Sequence, residues 1–254
     1  MTNAETAPPT RGDSVVPTDS NALRILRDEH KKQGYALLNY DDGPVHSYPY
    51  DAPWLTDESF STIYNKIRNN TLVDRPRCYS LYLLTQQLSS VPGNVLEVGT
   101  WRGGTAGLLA ACFPAKTVYV ADTFEGVVKS SDWEHYSDRA HADTSEQLVT
   151  DLLRRTLGVS NFQLMRGIFP EETGHQLGPE TFAFVYLDVD VYLSTKDAFE
   201  FIWNKVSPNG IAAFDDYGMY SACEGISRFI HEIKDDEDKL FIQNLNGQAY
   251  IIKR

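Results

Sequence analysis

One stretch constrains the fold more than any other: residues 184–195, which read Phe-Val-Tyr-Leu-Asp-Val-Asp-Val-Tyr-Leu-Ser-Thr. Its apolar, β-branched beginning predicts a buried parallel strand. Asp188 and Asp190 follow at once, and alternation along an extended strand would turn both carboxylates to the same side. Because open α/β sheets bind ligands at the carboxyl ends of their strands, these two acids are candidates for a functional site.

A second apolar run, residues 211–214, ends in the same way, in Asp215 and Asp216. Four carboxylates at two strand ends repel one another unless protons or a cation neutralise them. Their all-oxygen character suits Mg²⁺ or a similar divalent ion. The pattern therefore predicts a metal site at the carboxyl edge of a parallel sheet. The alternative interpretation is two solvated loop acids and two helix caps.

Chain length, net charge and cysteine content narrow the classes of protein to which this chain can belong. A chain of 254 residues suffices for one large α/β domain with an appendage. A net charge of -12 argues against nucleic-acid and anionic-membrane partners, since no basic face exists to release counterions. No signal peptide and no apolar run of about 18 residues is found, so we expect a cytoplasmic protein. Cys78, Cys112 and Cys223 have no zinc or disulfide spacing, which favours buried thiols in a reducing compartment.

The chain divides into three parts by pattern. Residues 1–19 are rich in Thr, Pro and Ser and are predicted to be a disordered tail. Residues 20–90 form a helical and lid extension, in which the prolines and aromatics of residues 41–54 indicate a structured loop. This loop is either a lid over a site or an apolar arm packed on a neighbouring subunit, and the arm predicts a homo-oligomer. Residues 91–254 form the main domain.

Strands and helices alternate from residue 94 to the end. The predicted strands are residues 94–98, 117–121, 162–166, 182–187 and 211–214, and the predicted helices are 105–112, 143–157, 195–206 and 222–234. Asn246-Gly247 predicts a hairpin between strands 240–244 and 248–252. Together these predict an α/β fold, a doubly wound sheet with one reversed strand from the C-terminal hairpin.

The first strand runs into a glycine loop, Glu97-x-Gly99-x-x-x-Gly103. A dinucleotide fingerprint needs a second glycine where this chain has Trp101, and Glu97 would repel a phosphate. An acid there suits a positively charged cofactor instead. Asp122 ends the second strand, where an acid accepts hydrogen bonds from ribose hydroxyls. The loop resembles motif I of S-adenosylmethionine-dependent methyltransferases.

Four motifs carry a narrower resemblance: residues 97–104, 122–126, 188–192 and 215–217. From about residue 71 to the end, the chain resembles the macrocin and mycinamicin O-methyltransferase family. These metal-dependent enzymes methylate sugar hydroxyls in bacterial natural-product pathways. The resemblance implies a Rossmann-like class I methyltransferase fold and a small-molecule acceptor, a sugar or a glycosylated natural product. It also implies that Asp188, Asp215 and Asp216 hold Mg²⁺ and that vicinal sugar hydroxyls complete the coordination.

Further residues are assigned to each role from this resemblance and from their positions. The residues expected to contact the cofactor are Glu97, Gly99, Thr100, Trp101, Arg102, Gly103, Asp122, Thr123, Phe124 and Gly167. The aromatic residues expected to contact the acceptor are Tyr48, Tyr50, Tyr192 and Tyr217. Asp190 is the expected general base, and the alternative is that it supports the metal ligands or is itself a fourth ligand. His141 and His135, in the polar loop after Asp122, are the competing bases.

Other functions compete with this hypothesis. Asp188-Val-Asp190 also matches the Asp-x-Asp with which glycosyltransferases hold a nucleotide-sugar diphosphate through a metal. A catechol-type methyltransferase would share the fold, but such enzymes usually have Asp-Asn where this chain has Asp215-Asp216. An inactive scaffold is the non-enzyme alternative, against which the four retained carboxylates stand. Release of a nucleoside diphosphate, turnover of a simple catechol, or failure to bind metal and cofactor would favour these alternatives in turn.

Overall fold

The computed structural model describes residues 52–218 and 224–254, together with two short paired strands nearer the N-terminus. These are β1 (Leu37–Leu38) and β2 (His46–Ser47), which pair antiparallel. The predicted disordered tail, Tyr48, Tyr50 and Cys223 lie outside the described residues.

Helices and strands then alternate along the chain. In order they are α1 (Pro53–Thr56), α2 (Glu58–Ile67), α3 (Arg75–Gln87), β3 (Asn94–Val98), α4 (Gly104–Cys112), β4 (Val118–Asp122), α5 (Glu146–Asp151), β5 (Phe162–Arg166), β6 (Phe182–Leu187), α6 (Tyr192–Ile202), β7 (Val206–Phe214), α7 (Glu224–Ile233), β8 (Lys239–Asn244) and β9 (Gln248–Lys253). A π-helical segment, Leu152–Leu157, continues α5. Within the described ranges, no helix is both long enough and apolar enough to cross a membrane.

Seven strands form the central sheet in the order β5-β4-β3-β6-β7-β9-β8. Neighbouring pairs from β5 to β7 are parallel, whereas β9 runs antiparallel to both β7 and β8. The strand order reverses at β3, so the edge where β3 and β6 end is the place where such sheets bind ligands. The predicted doubly wound sheet with a reversed hairpin strand is confirmed.

Helices cover both faces of this sheet. On one face α2, α3 and α4 contribute Phe60, Leu81 and Leu108, which pack with Phe184 of β6. Complete burial of each such side chain is worth about 1.5–3 kcal/mol. The sequence predicts an extension over residues 20–90, and the part of it that contains α2 and α3 shares one buried hydrophobic cluster with the sheet. Helix α3 is thereby held beside the carboxyl edge.

The opposite face is covered by α6 and α7, whose aromatic residues pack against each other. Phe199 of α6 lies 5.6 Å from Phe229 of α7 and 5.5 Å from Phe214 of β7, measured between ring centroids. Offset and edge-on aromatic pairs at this spacing add about 0.5–1.5 kcal/mol to the burial itself. This packing fixes β7 and the segment that follows it.

Some predicted boundaries are wrong. The predicted helix 195–206 begins at Tyr192 and ends at Ile202, and Val206 opens β7. A 3₁₀ turn, Trp203–Lys205, separates the two elements. Residues 207–210, Ser-Pro-Asn-Gly, have the composition of a turn, but they stay within β7 as an irregularity in its pairing with β6. The predicted helix 143–157 begins at Glu146, because the side chain of Ser145 caps the amide of Leu148.

Candidate active site

A cavity of about 350 Å³ lies at the carboxyl ends of β3, β4, β6 and β7. The predicted site residues that line it are Gly99, Thr100, Trp101, Asp122, Thr123, His141, Gly167, Asp188, Asp190, Asp215 and Asp216. The segments that follow these four strands therefore meet in one wall, joined by Gly167 after β5, because parallel strands end at the same edge of a sheet. The volume lies within the range of small-molecule sites.

The glycine loop after β3 fits tightly against the end of β6. Gly99 has a φ of +84°, a conformation that favours glycine. A Cβ atom at this position would lie 1.9 Å from the carbonyl oxygen of Asp188, so no side chain can be accommodated without a backbone shift. The loop and the first acid of the cluster are consequently in direct contact.

Asp122 holds this loop in place. Its Oδ2 accepts hydrogen bonds from the backbone amides of Thr100, at 2.7 Å, and Trp101, at 3.0 Å, and its Oδ1 accepts one from Phe124 at 2.7 Å. Burial raises the pKa of Asp122, and these three bonds oppose the rise. Hydrogen bonds to a charged group are worth about 1.5–3 kcal/mol each, so the carboxylate makes a large contribution to the loop's shape. Its contact with a ribose stays a prediction.

Glu97 lies behind the glycine loop, and its contact with a positively charged cofactor stays a prediction. The side chain is completely buried and does not belong to the cavity wall. Its Oε2 accepts a hydrogen bond of 2.9 Å from the hydroxyl of Thr100, and burial raises its pKa to about 8. From behind the loop, this acid holds the Thr100 side chain in place.

Trp101 and Arg102 are fastened to the segment before α5. The indole nitrogen of Trp101 donates to Asp143 at 2.8 Å, and the Arg102 guanidinium forms a 2.5 Å ion pair with the same carboxylate. Arg102 also lies over the Trp101 ring, 4.6 Å from its centroid. Trp101 lines the cavity, whereas Arg102, Gly103 and Phe124 lie outside its wall.

Three carboxylates are placed together as the sequence predicts. One oxygen from each of Asp188, Asp215 and Asp216 lies within 4.8 Å of the others. The strand register brings this about, since Leu187 of β6 pairs with Phe214 of β7 and each strand ends in its acid. The amide of Asp215 donates to the carbonyl of Leu187 at 3.0 Å, which fixes the two ends at the same level.

Asp190 reaches the cavity by a different path from the one expected. The strand does not stay extended beyond Leu187, and Asp190 has a φ of +65°. The chain turns tightly here, with the amide of Val191 donating to the carbonyl of Val189 at 2.8 Å. The Asp190 carboxylate lines the same cavity as the three clustered acids and accepts no hydrogen bond from the described residues.

Arg77 is a site residue that the sequence analysis missed. Its guanidinium forms buried ion pairs with Asp215 and with Asp216, the latter at 2.6 Å, and its Nε pairs with Asp74 at 3.0 Å. Arg77 lies in the first turn of α3, for which Asp74 is the N-cap. Because Arg77 lies 138 residues before Asp215 in sequence, no local pattern connects it to the acids.

Acidic groups outnumber basic ones in the cluster formed by the described residues. The four carboxyl groups of Asp188, Asp190, Asp215 and Asp216 lie near the guanidinium of Arg77, which also pairs with Asp74. Burial, followed by repulsion between the acids, raises the pKa of Asp188 and of Asp190. Burial and Asp216 also raise the pKa of Asp215, and Arg77 opposes this rise. Oxygen donors in this number and with this excess of negative charge fit a hard divalent cation.

The remaining predicted residues separate into two groups. His141 lines the cavity, with its ring centroid 5.4 Å from that of Tyr136, another lining residue, whereas His135 lies outside the wall. Tyr192 and Tyr217 are also outside it, and their contact with the acceptor stays a prediction. The hydroxyl of Tyr192 contacts Glu232, and that of Tyr217 contacts His231, so both hydroxyls turn toward α7.

Comparison with known proteins identifies the family. The macrocin-O-methyltransferase (TylF) model matches residues 69–243. The 8-demethyl-8-(2,3-dimethoxy-alpha-L-rhamnosyl)-tetracenomycin-C 4'-O-methyltransferase of Streptomyces olivaceus is 29% identical over 208 residues, 73% of this chain and 77% of that protein. Mycinamicin III 3''-O-methyltransferase of Micromonospora griseorubida is 32% identical over 161 residues, 57% of this chain and 61% of that protein.

Solved structures share the fold. The O-methyltransferase NovP superposes with a TM-score of 0.58 at 24% identity, covering 72% of this chain and 82% of that one. The calicheamicin methyltransferase CalS11 superposes with a TM-score of 0.63 at 16% identity, covering 98% and 99%. The family match spans more than half of the chain, and it argues against the glycosyltransferase and inactive-scaffold alternatives. The chain belongs to the macrocin-O-methyltransferase family and is an S-adenosylmethionine-dependent O-methyltransferase.

Proposed function

We propose that this enzyme methylates a sugar hydroxyl of a small natural-product acceptor and that it requires Mg²⁺ held by Asp188, Asp215 and Asp216. One observation carries the proposal: oxygens of these three acids lie within 4.8 Å of one another in the cavity that the glycine loop also lines. The relative from Streptomyces olivaceus, whose name specifies a rhamnosyl unit, supports a sugar as the acceptor.

A sugar hydroxyl needs help to act as a nucleophile, because its pKa lies far above neutrality. A divalent cation, when bound, supplies positive charge that stabilises the developing alkoxide. S-adenosylmethionine, when bound, supplies an electrophilic methyl group on a positively charged sulfur. A cavity that held the acceptor beside the cofactor would replace a bimolecular encounter by an oriented one.

The glycine-loop side of the cavity is the proposed cofactor side. Gly99, Thr100, Trp101, Asp122 and Thr123 form this part of the wall. The backbone of Gly99 lies against that of Asp188, so a cofactor seated on the loop would be adjacent to the acid cluster. Gly167 lines the cavity as well and is the candidate for a close contact with the adenine.

Asp190 is the proposed general base. As the oxygen–methyl bond forms and the sulfur–methyl bond breaks, the hydroxyl proton passes to the Asp190 carboxylate. The carboxylate lines the cavity and accepts no hydrogen bond from the part of the chain that is described, so its lone pairs are available. His141 shares the wall and is the alternative acceptor of the proton.

The test is a turnover assay on chelator-treated protein with rhamnosylated acceptors and nucleotide-linked deoxysugars. We expect S-adenosylhomocysteine to be released with added Mg²⁺ and turnover to be lost in Asp216→Asn. The matched control is Asp235→Asn, since the Asp235 side chain is 87% exposed and distant in the fold from the cluster. Full turnover without a metal would overturn the Mg²⁺ assignment. Methylation of a simple catechol and of none of the sugars would overturn the acceptor class.

A further inference from the structure

A buried glutamine meets the acid cluster from the C-terminal hairpin. Gln248 is completely buried, and its Nε2 donates a 2.9 Å hydrogen bond to Oδ1 of Asp215. The hairpin creates this contact, because β9 pairs antiparallel with β7 and Ala249 lies opposite Phe214. The residue before Ala249 is thereby placed beside the residue after Phe214.

Tyr250, two residues after Gln248, sets the orientation of this amide. The hydroxyl of Tyr250 donates to Oε1 of Gln248 at 2.8 Å. A glutamine amide has one acceptor end and one donor end, so an Oε1 that is occupied by a donor leaves Nε2 to face Asp215. Tyr250 in turn accepts a 3.0 Å hydrogen bond from Nδ2 of Asn244, which directs its own proton toward Gln248.

The chain of hydrogen bonds continues to the helix that carries Arg77. Nδ2 of Asn244 also lies 3.1 Å from the hydroxyl of Ser80, and that hydroxyl donates to the carbonyl of Pro76 at 3.2 Å. Ser80 and Pro76 belong to α3, and Arg77 of the same helix contacts the second oxygen of Asp215. Gln248 and Arg77 therefore each contact one oxygen of the Asp215 carboxylate, and both sets of contacts lead to helix α3.

We infer that Gln248 and Tyr250 are positioning residues, which fix the Asp215 carboxylate in the orientation that a divalent cation requires. The inference rests on the proposed metal dependence. Partners that orient a metal-binding side chain typically contribute 10- to 100-fold to metal affinity. A neutral amide suits this task, because it orients the carboxylate and leaves its negative charge for the cation, whereas a second arginine would compete with the metal.

The test is calorimetric titration of the full-length, chelator-treated protein with Mg²⁺, for the wild type, Gln248→Leu and Tyr250→Phe. We expect Gln248→Leu to weaken Mg²⁺ binding by about 10-fold or more. Tyr250→Phe keeps the ring and removes only the group that orients the amide, so we expect a smaller loss in the same direction. Binding of S-adenosylhomocysteine should be unchanged in both. Tyr119→Phe is the matched control, since it removes a hydroxyl from a buried tyrosine of β4.

The outcomes separate the inference from the function on which it rests. If the wild type binds Mg²⁺ and both variants bind it within twofold of the wild type, the positioning role is overturned and the metal site stands. If both variants lose Mg²⁺ and S-adenosylhomocysteine to the same extent, the network serves only the general structure, which also overturns the role. If the wild type binds no Mg²⁺, the metal assignment fails, and the inference fails with it.

Discussion

At the scale of single residues, burial decides what each acid in this protein can do. Glu97 lies in β3 and Asp122 ends the neighbouring strand β4, and both support the glycine loop, one through the Thr100 hydroxyl and the other through backbone amides. Burial raises the pKa of both acids, but three amide hydrogen bonds oppose the rise at Asp122, whereas the pKa of Glu97 is raised to about 8. Two acidic side chains that support one loop are thus buried with different hydrogen-bond support.

This difference predicts how stability depends on pH. The unperturbed pKa of Glu97 is 4.5 and the native value is about 8, so between these values the native state holds a proton that the unfolded chain has released. The Glu97 contribution therefore favours folding at low pH and is lost as pH rises through this window, by at most about 1.4 kcal/mol per pH unit. Glu97→Gln should match the wild type near pH 5 and exceed its stability near pH 8.5.

Urea unfolding of both proteins at the two pH values measures this effect. The difference between wild type and variant isolates Glu97 from the other buried acids, which titrate in both proteins. Glu200→Gln serves as the control, since its side chain is 61% exposed. A wild type and a Glu97→Gln variant that differ equally at both pH values would contradict the raised pKa of Glu97.

The choice between Asp190 and His141 is also made at this scale. Asp190→Asn keeps the size of the side chain and removes the proton acceptor, so we expect kcat to fall by about 10²- to 10⁴-fold, the usual contribution of a general base. His141→Gln should reduce kcat much less. Calorimetric affinity for S-adenosylhomocysteine, measured beside kcat, should be unchanged in Asp190→Asn. A larger loss of kcat in His141→Gln would transfer the base role to the histidine.

At the scale of elements, the sequence predicts those features of the fold that depend on local residue patterns. Strands β3, β5 and β6 have the predicted bounds, because each is a mainly apolar segment followed at once by a glycine or an aspartate. The end of α6 is missed, because Trp203 and Val206 continue its apolar face into the following turn and strand. Arg77 and Gln248 are missed for another reason, since they lie 138 and 33 residues from Asp215 and meet it only through tertiary packing.

The contact between the glycine loop and the end of β6 makes a prediction about both elements. Gly99→Ala adds a Cβ where only 1.9 Å separates it from the Asp188 carbonyl oxygen, in a backbone of positive φ. We expect a loss of stability above the about 1–3 kcal/mol of backbone strain, with weaker binding of S-adenosylhomocysteine. Gly158→Ala is a matched control, because Gly158 has a φ of +74° and its added Cβ would meet nothing within 4 Å.

Thermal and urea unfolding of the two variants separate the cost of backbone strain from the cost of the clash with β6. Gly158→Ala reports the strain of a positive φ alone, and the excess in Gly99→Ala reports the clash with β6. Equal losses in the two variants would show that the loop moves away from Asp188 at little cost. In that case the loop and the acid cluster would not depend on each other.

At the scale of the whole molecule, one edge of the sheet brings together buried acidic side chains that repel one another. The chain carries a net charge of -12, and the buried acids at this edge add repulsion that Arg77 relieves only in part. Such a site is stable with protons or with a cation, so metal binding and folding are linked. The homo-oligomer stays a prediction, because the segment on which it rests lies largely outside the described residues.

This linkage gives a prediction for the melting temperature. A ligand that binds the native state alone stabilises it by about 2.7 kcal/mol at a concentration of 100 times its Kd. For a domain of this size, about 1 kcal/mol corresponds to a shift of about 2–4 °C, so Mg²⁺ and S-adenosylhomocysteine should each raise Tm by about 5–10 °C. In Asp216→Asn the shift with Mg²⁺ should disappear while the shift with S-adenosylhomocysteine persists, because the glycine loop does not use that carboxylate. A variant that loses both shifts would show instead that the cofactor and the acid cluster form a single binding unit.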